Sequence, residues 1–93
     1  MIAVNTLHIL NKPPEHSRYR LCLAAVEPED AVLLIENGVL AVTRPLEFET
    51  EQCLALAPDL EARGLADLVE KSRSLSYHDM VELAASAKNV ISW

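Results

Sequence analysis

The stretch Ala31-Val32-Leu33-Leu34-Ile35 runs without a polar residue and stops at Glu36-Asn37-Gly38. An apolar run with no polar alternation is the pattern of a strand buried on both faces of a parallel sheet, because helices must then cover each side. A buried helical segment would show the same run. Pro28 upstream, Asn37-Gly38 downstream and the branched Val32 and Ile35 favour the strand. It is expected to be the centre of a small α/β domain.

At 93 residues the chain is expected to form one domain, residues 1–93, near the lower end of the sizes that bury an adequate core unaided. The residues are 51% hydrophobic but only 4% aromatic, so the core is filled by aliphatic side chains. That much aliphatic surface on a small domain points to a subunit that meets other chains. Eight basic residues against fourteen acidic ones give a net charge of −6, the wrong sign for holding a phosphate backbone. No direct nucleic-acid contact is expected. Apolar stretches of about 18 residues, the length that spans a membrane, do not occur, and Met-Ile-Ala-Val-Asn-Thr lacks the basic start of a signal peptide. A cytoplasmic location without membrane contact follows as the expectation. Cys22 and Cys53 have neither disulfide-framework nor zinc spacing, and are read as reduced thiols.

Along the chain, strand one is expected over Val4 to Leu10, ended by a loop in which Pro13-Pro14 cannot continue a ladder. Ser17 can cap a helix to about Val26, with Tyr19, Cys22, Ala25 and Val26 as its buried stripe. After strand two, Val39 to Thr43 is either a helical turn or an extended piece, and Pro45 to Glu51 is an acidic connection or edge. Gln52 to Ala57 makes strand three. Pro58, Asp59, Glu61 and Gly64 spell the start and stop of a short helix. A second short helical piece reaches about Glu70, and Arg73 to Leu75 is a fourth strand. Ser76-Tyr77-His78-Asp79 is a capping-box pattern that opens a last helix with Tyr77, Met80, Val81 and Ala84 on its apolar face. Asn89 to Trp93 is a terminal strand. Five strands alternating with helices predict a single three-layer domain around a mainly parallel sheet, with flavodoxin-like winding and right-handed crossovers.

Leu7-His8-Ile9-Leu10-Asn11-Lys12-Pro13-Pro14, Val32 to Val39, Leu54 to Gly64, Tyr77-His78-Asp79-Met80-Val81 and the chain-ending Trp93, in this order and spacing, resemble the TusB/DsrH family of sulfur-relay subunits. Asn37 stands where an aspartate is usual before the glycine, and Ile9 where a threonine is usual. The resemblance implies a DsrE-like fold and a place in a heterohexamer with TusC/DsrF-type and TusD/DsrE-type subunits. Such a complex passes persulfide sulfur from a TusA-type donor to a TusE-type acceptor, toward 2-thiolation of the tRNA wobble uridine. In the DsrH setting the same architecture serves sulfur oxidation. Family members with transfer chemistry carry sulfur on a cysteine of the TusD/DsrE-type subunit. Here the corresponding stretch, Leu56-Ala57-Pro58-Asp59, has no thiol, and a transfer nucleophile must be a thiolate.

Cys22 has two readings: a buried or interface cysteine, or an auxiliary persulfide carrier as in DsrH-type members, with Arg18 one turn earlier lowering its pKa. Cys53, inside an apolar strand, is expected to be inert. His8, near the carboxyl end of strand one, is a candidate to orient a partner's loop or donate to a sulfur species, against the plainer role of satisfying hydrogen bonds at a strand end. Lys12 in the same neighbourhood is a candidate for attracting an acidic partner or a solvated loop lysine. Trp93 is expected to pack on the domain edge or a partner. His16 and His78 have no second ligand at metal spacing, so no metal is expected, nor any cofactor. A small-ligand flavodoxin-like domain is the remaining alternative, and Pro13-Pro14 stand where its glycine-rich phosphate loop belongs.

Overall fold

In a computed structural model, which describes residues 4–93, the apolar run forms strand β2 (Ala31–Leu34), with all four side chains buried. Strand β1 (Thr6–Leu10) pairs with it from Leu7↔Ala31 to Leu10↔Leu34, and β3 (Cys53–Leu56) from Val32↔Cys53 to Leu34↔Ala55. The two-residue β4 (Ser74–Leu75) lies outside β3, and β5 (Asn89–Ser92) outside β1. The order is β4-β3-β2-β1-β5 and every pair is parallel, which bears out the expected five-stranded α/β sheet.

Alternation of side chains along each strand divides the core in two. Leu10, Val32, Leu34, Cys53 and Ala55 meet helix α1 (Ser17–Ala25), a 3-10 helix (Glu36–Thr43) and helix α2 (Ala57–Ala62) through Tyr19, Cys22, Val39, Ala41 and Leu60. On the other face Leu7, Ala31 and Leu33 meet helix α3 (Tyr77–Ser86) through Leu83, with Met80 and Ala84 beside it. Three layers result. Gly64 ends α2 with φ of 67°, a conformation that costs glycine nothing.

Several boundaries and faces differ from the sequence pattern. Strand β1 starts at Thr6, because the Asn5 N–H turns to the Glu29 carbonyl at 3.2 Å. Helix α1 is capped by His16, whose Nδ1 accepts from the Arg18 N–H at 3.0 Å, and Ser17 is its first residue. The turn set by the His16 N–H on the Pro13 carbonyl brings His16 to the capping position. Tyr19, Cys22 and Val26 are buried as expected, but Ala25, three residues on from Cys22 and about 60° to one side of it, is exposed. Between Gly38 and Thr43 the chain is 3-10 helical and buries Val39 and Ala41. Strand three is shorter than expected at both ends, since Ala57 already belongs to α2 with Pro58 in its first turn. The piece after Gly64 is two 3-10 turns, Ala66–Leu68 and Lys71–Arg73.

The capping box forms as the pattern predicts: Ser76 Oγ accepts from the Asp79 N–H at 3.1 Å, and Asp79 Oδ2 from the Ser76 N–H at 3.2 Å. Ser76→Ala is expected to cost about 1 kcal/mol in urea unfolding, because it strands one N–H of the first turn. The inward stripe of α3 is the buried Leu83 with Met80, Ala84 and the capping residue Ala87 partly buried beside it, at i, i+3, i+4, i+7. Two side chains expected on that face, Tyr77 and Val81, are instead 56% and 62% exposed; Val81 lies about 100° round from Met80.

Candidate functional site

Ligand crevices of open parallel sheets lie outside the carboxyl ends of the strands, where the connections reverse direction. From β1 to β4 each strand steps the same way, and β5 returns to the far side of β1, so the reversal falls between β1 and β5. Asn11 and Lys12 leave β1 there, and Trp93 leaves β5. Of the three residues expected near this place, the fold brings His8 and Trp93 together. Lys12 stays apart, its Nζ donating to Asn11 Oδ1.

His8 is not at the rim. It sits mid-strand, paired in register with Val32 and Ile91, and is 1% exposed. Its Nε2 lies 2.9 Å from Asp30 Oδ2, and Trp93 Nε1 donates to its Nδ1 at 3.1 Å. The two rings stack with centroids 6.0 Å apart and planes 19° from parallel. Since the indole N–H only donates, Nδ1 must offer its lone pair and Nε2–H must donate to Asp30. Burial pushes the Asp30 carboxyl up, but donation from His8 and from the Glu27 and Thr6 N–H groups, at 3.0 and 3.2 Å, outweighs it and holds the pKa below the ordinary value. Asp30 was not among the sequence candidates. The available signal was the last acid of Glu27-Pro28-Glu29-Asp30, set directly before a strand whose every residue is apolar.

Both thiols lie in the same core cluster. Cys22 is fully buried, and burial, with Cys53 nearby, pushes it up to about 12. Arg18 is exposed and contributes nothing to that shift. Burial pushes Cys53 up to about 11, Arg73 partly opposing. Neither is a thiolate near neutral pH, the form that attacks sulfur. In the folded chain both are expected to resist an aromatic disulfide reagent over hours, and to react with two equivalents once urea unfolds the core.

At the carboxyl ends of β2 and β3 the groups are polar and mutually engaged. Asp59 Oδ2 accepts the Glu36 N–H at 2.7 Å, where Glu36 turns with φ of 48°. Arg63 donates to the Asp59 carbonyl at 3.2 Å and to Asn37 Oδ1 at 3.1 Å. These bonds tie α2 to the corner after β2. In the acidic connection Glu47, Glu49 and Glu51 are exposed, while Phe48 between them is buried 5.5 Å from the Tyr19 ring. His16 and His78 are both exposed, and His78 pairs with Glu82 at 3.1 Å. Among the described residues no three potential metal ligands converge, and no helix is long and apolar enough to cross a membrane.

Comparison with known proteins agrees with this architecture. The sequence profile of a family described as DsrH like protein matches residues 12–90. Protein TusB of Enterobacter sp. (strain 638) is 34% identical over 94 residues, covering 94% of this chain and 99% of that protein. Protein TusB of Pectobacterium atrosepticum is 30% identical with the same coverage. The solution NMR structure of protein Tm0979 from Thermotoga maritima superposes with a TM-score of 0.63 over 86% of this chain and 91% of that one; at 23% identity it shows a shared fold. With the profile spanning most of the chain and relatives matched along nearly their whole length, the chain belongs to the TusB/DsrH family.

Proposed function

We propose that this chain is a positioning subunit of a sulfur-relay complex, one that holds the sulfur-carrying subunit in place without itself carrying sulfur. The observation that supports it most is the state of its thiols. Both cysteines are buried and protonated, and the carboxyl end of β3, where a TusD/DsrE-type subunit carries its cysteine, is occupied by Asp59 on the Glu36 N–H. Exposed apolar side chains support the assembly half of the reading: Leu21 on α1, Leu68 on the 3-10 turn after Gly64, Val81 on α3, and Val90 and Ile91 on the edge strand β5 all face outward.

In this proposal the partners are TusC/DsrF-type and TusD/DsrE-type subunits, two copies of each with two of this chain. The complex takes persulfide sulfur from a TusA-type donor and gives it to a TusE-type acceptor, toward 2-thiolation of the tRNA wobble uridine. Native mass spectrometry of the chain co-expressed with both partner types, followed by persulfide loading, tests it. A hexamer with added sulfur on the TusD-type subunit alone is the expected result. A chain that stays monomeric beside its partners would overturn the positioning role. Added sulfur on a Cys22 peptide would replace it with the DsrH-type alternative, in which α1 opens to expose that thiol.

A further inference from the structure

The hydrogen bonds running from Asp30 through His8 to Trp93 are satisfied by one protonation state only. Neutral His8 with its proton on Nε2 gives that proton to Asp30 and takes the indole N–H on Nδ1. An imidazolium carries N–H on both nitrogens. It keeps Asp30 but sets Nδ1–H against the indole N–H at the 3.1 Å separation, donor to donor. The ring is 1% exposed between Val32 and Ile91, so within the fold it has no solvent to turn to.

We propose that His8 is a proton-sensitive clasp on the edge of the sheet: neutral, it holds Trp93 and the end of β5 against β1; protonated, it releases them. The attachment it controls is slight. Strand β5 pairs with no strand but β1, all four of its residues are exposed, and its last tie is the Trp93 N–H on the Ile9 carbonyl at 2.9 Å. Trp93 is only partly buried against the first core cluster, so it can leave without opening that cluster.

The charges around His8 favour this exchange. Among the described residues Asp30 is the one carboxylate in contact with the imidazole, and it stays ionised throughout the range in which histidine titrates, drawing the second proton onto the ring. From β1, Thr6 contributes only a backbone N–H, and that to Asp30. The register partners on β2 and β5 are apolar. On the same side of the sheet Tyr19 and Cys22 of α1 and Cys53 of β3 are kept neutral by burial, at about 12, about 12 and about 11. The one group that resists protonation through a specific bond is therefore the indole, and losing that bond is the consequence of protonation.

Trp93 is the chain's single tryptophan, so its signals report the clasp directly. The test follows the indole N–H resonance, tryptophan emission and the imidazole nitrogen shifts of full-length protein between about pH 8 and pH 5. At the upper end His8 is expected as the Nε2–H tautomer, with an indole N–H that exchanges slowly with water. On acidification that resonance should move to a solvent-exposed position in step with the His8 titration. Emission should shift to longer wavelength while far-ultraviolet dichroism is retained. In His8→Asn, whose side-chain oxygen can accept from the indole and does not titrate, the Trp93 signals should stay flat.

The clasp is overturned by an Nδ1–H tautomer at pH 8, by Trp93 signals that stay constant while His8 titrates, or by His8 remaining neutral until the whole chain unfolds. The same acid response in His8→Asn would overturn it as well. Should that variant not fold, the tautomer and the joint titration in the unaltered protein decide.

Discussion

Gly38→Ala is expected to destabilise the protein by about 3 kcal/mol or more, which is a large share of the roughly 5–15 kcal/mol that holds a domain folded. A methyl group on Gly38 would fall 2.1 Å from the Leu10 carbonyl oxygen and 3.0 Å from its carbon, both backbone atoms. Neither side of that contact can yield cheaply. The Leu10 oxygen already accepts from the Ile35 N–H at 3.0 Å, and the Gly38 N–H donates to the Ile35 carbonyl at 2.8 Å. Making room means breaking the corner at which β2 passes into the 3-10 helix, beside the last β1–β2 pair, Leu10↔Leu34. The control is Gly64→Ala, where nothing lies within 4 Å and the penalty is only that of φ at +67°, about 1–2 kcal/mol. Urea unfolding of the two variants side by side checks the claim. Equal losses would mean that the approach to Leu10 is not what demands glycine.

Asp30→Asn is expected to cost about 3 kcal/mol at neutral pH, and its effect should fade in acid. The carboxylate accepts from the Thr6 N–H on one oxygen and from His8 and the Glu27 N–H on the other, in a side chain 3% exposed. An amide has one oxygen, so at least one of these donors meets an NH2 group instead. A buried donor left without its charged acceptor costs about 1.5–3 kcal/mol. The pH dependence follows from the sign of the shift. The folded carboxyl has its pKa held below the ordinary value despite burial, so it binds its proton less readily than the unfolded chain does. Its contribution is complete above the unfolded value of about 3.9 and is lost as pH falls through the lower, folded one. Denaturation measured at neutral pH and again in that acid window should show wild type converging on Asp30→Asn. A gap that stayed constant would show that the carboxylate charge is not what the site uses. The same substitution weakens the acceptor that orients His8 toward Trp93, so it should also loosen the Trp93 N–H at neutral pH.

Much of this molecule is written locally. The unbroken run Ala31–Leu34 can be satisfied only with cover on both faces, and it became the central strand with helices on each side. The Ser76–Asp79 capping box needs four consecutive residues and nothing else, and it formed as its spacing requires. Pro58 and Gly64 mark the start and stop of α2 by backbone chemistry that no neighbour has to supply. The order of short motifs carried the family, and the profile and relatives matched along the chain agree with it.

What the sequence could not hold was anything set by two distant segments meeting. Which residues of α3 face inward depended on how the helix lies across the sheet, so Leu83 is buried while Val81, equally apolar, is in solvent. How far Cys22 is enclosed depended on how α1 lies on the sheet, which buries the thiol and raises its pKa. In a strand running from Val4 to Leu10 His8 stands toward the carboxyl end, and it is the middle residue because the strand begins only at Thr6. Its partners come from 22 and 85 residues away, Asp30 at the foot of β2 and Trp93 beyond β5. Periodicity and capping act over a few residues and are legible along the chain. A hydrogen-bonded triad of one strand residue and the residues flanking two other strands exists only once the sheet has put those strands side by side.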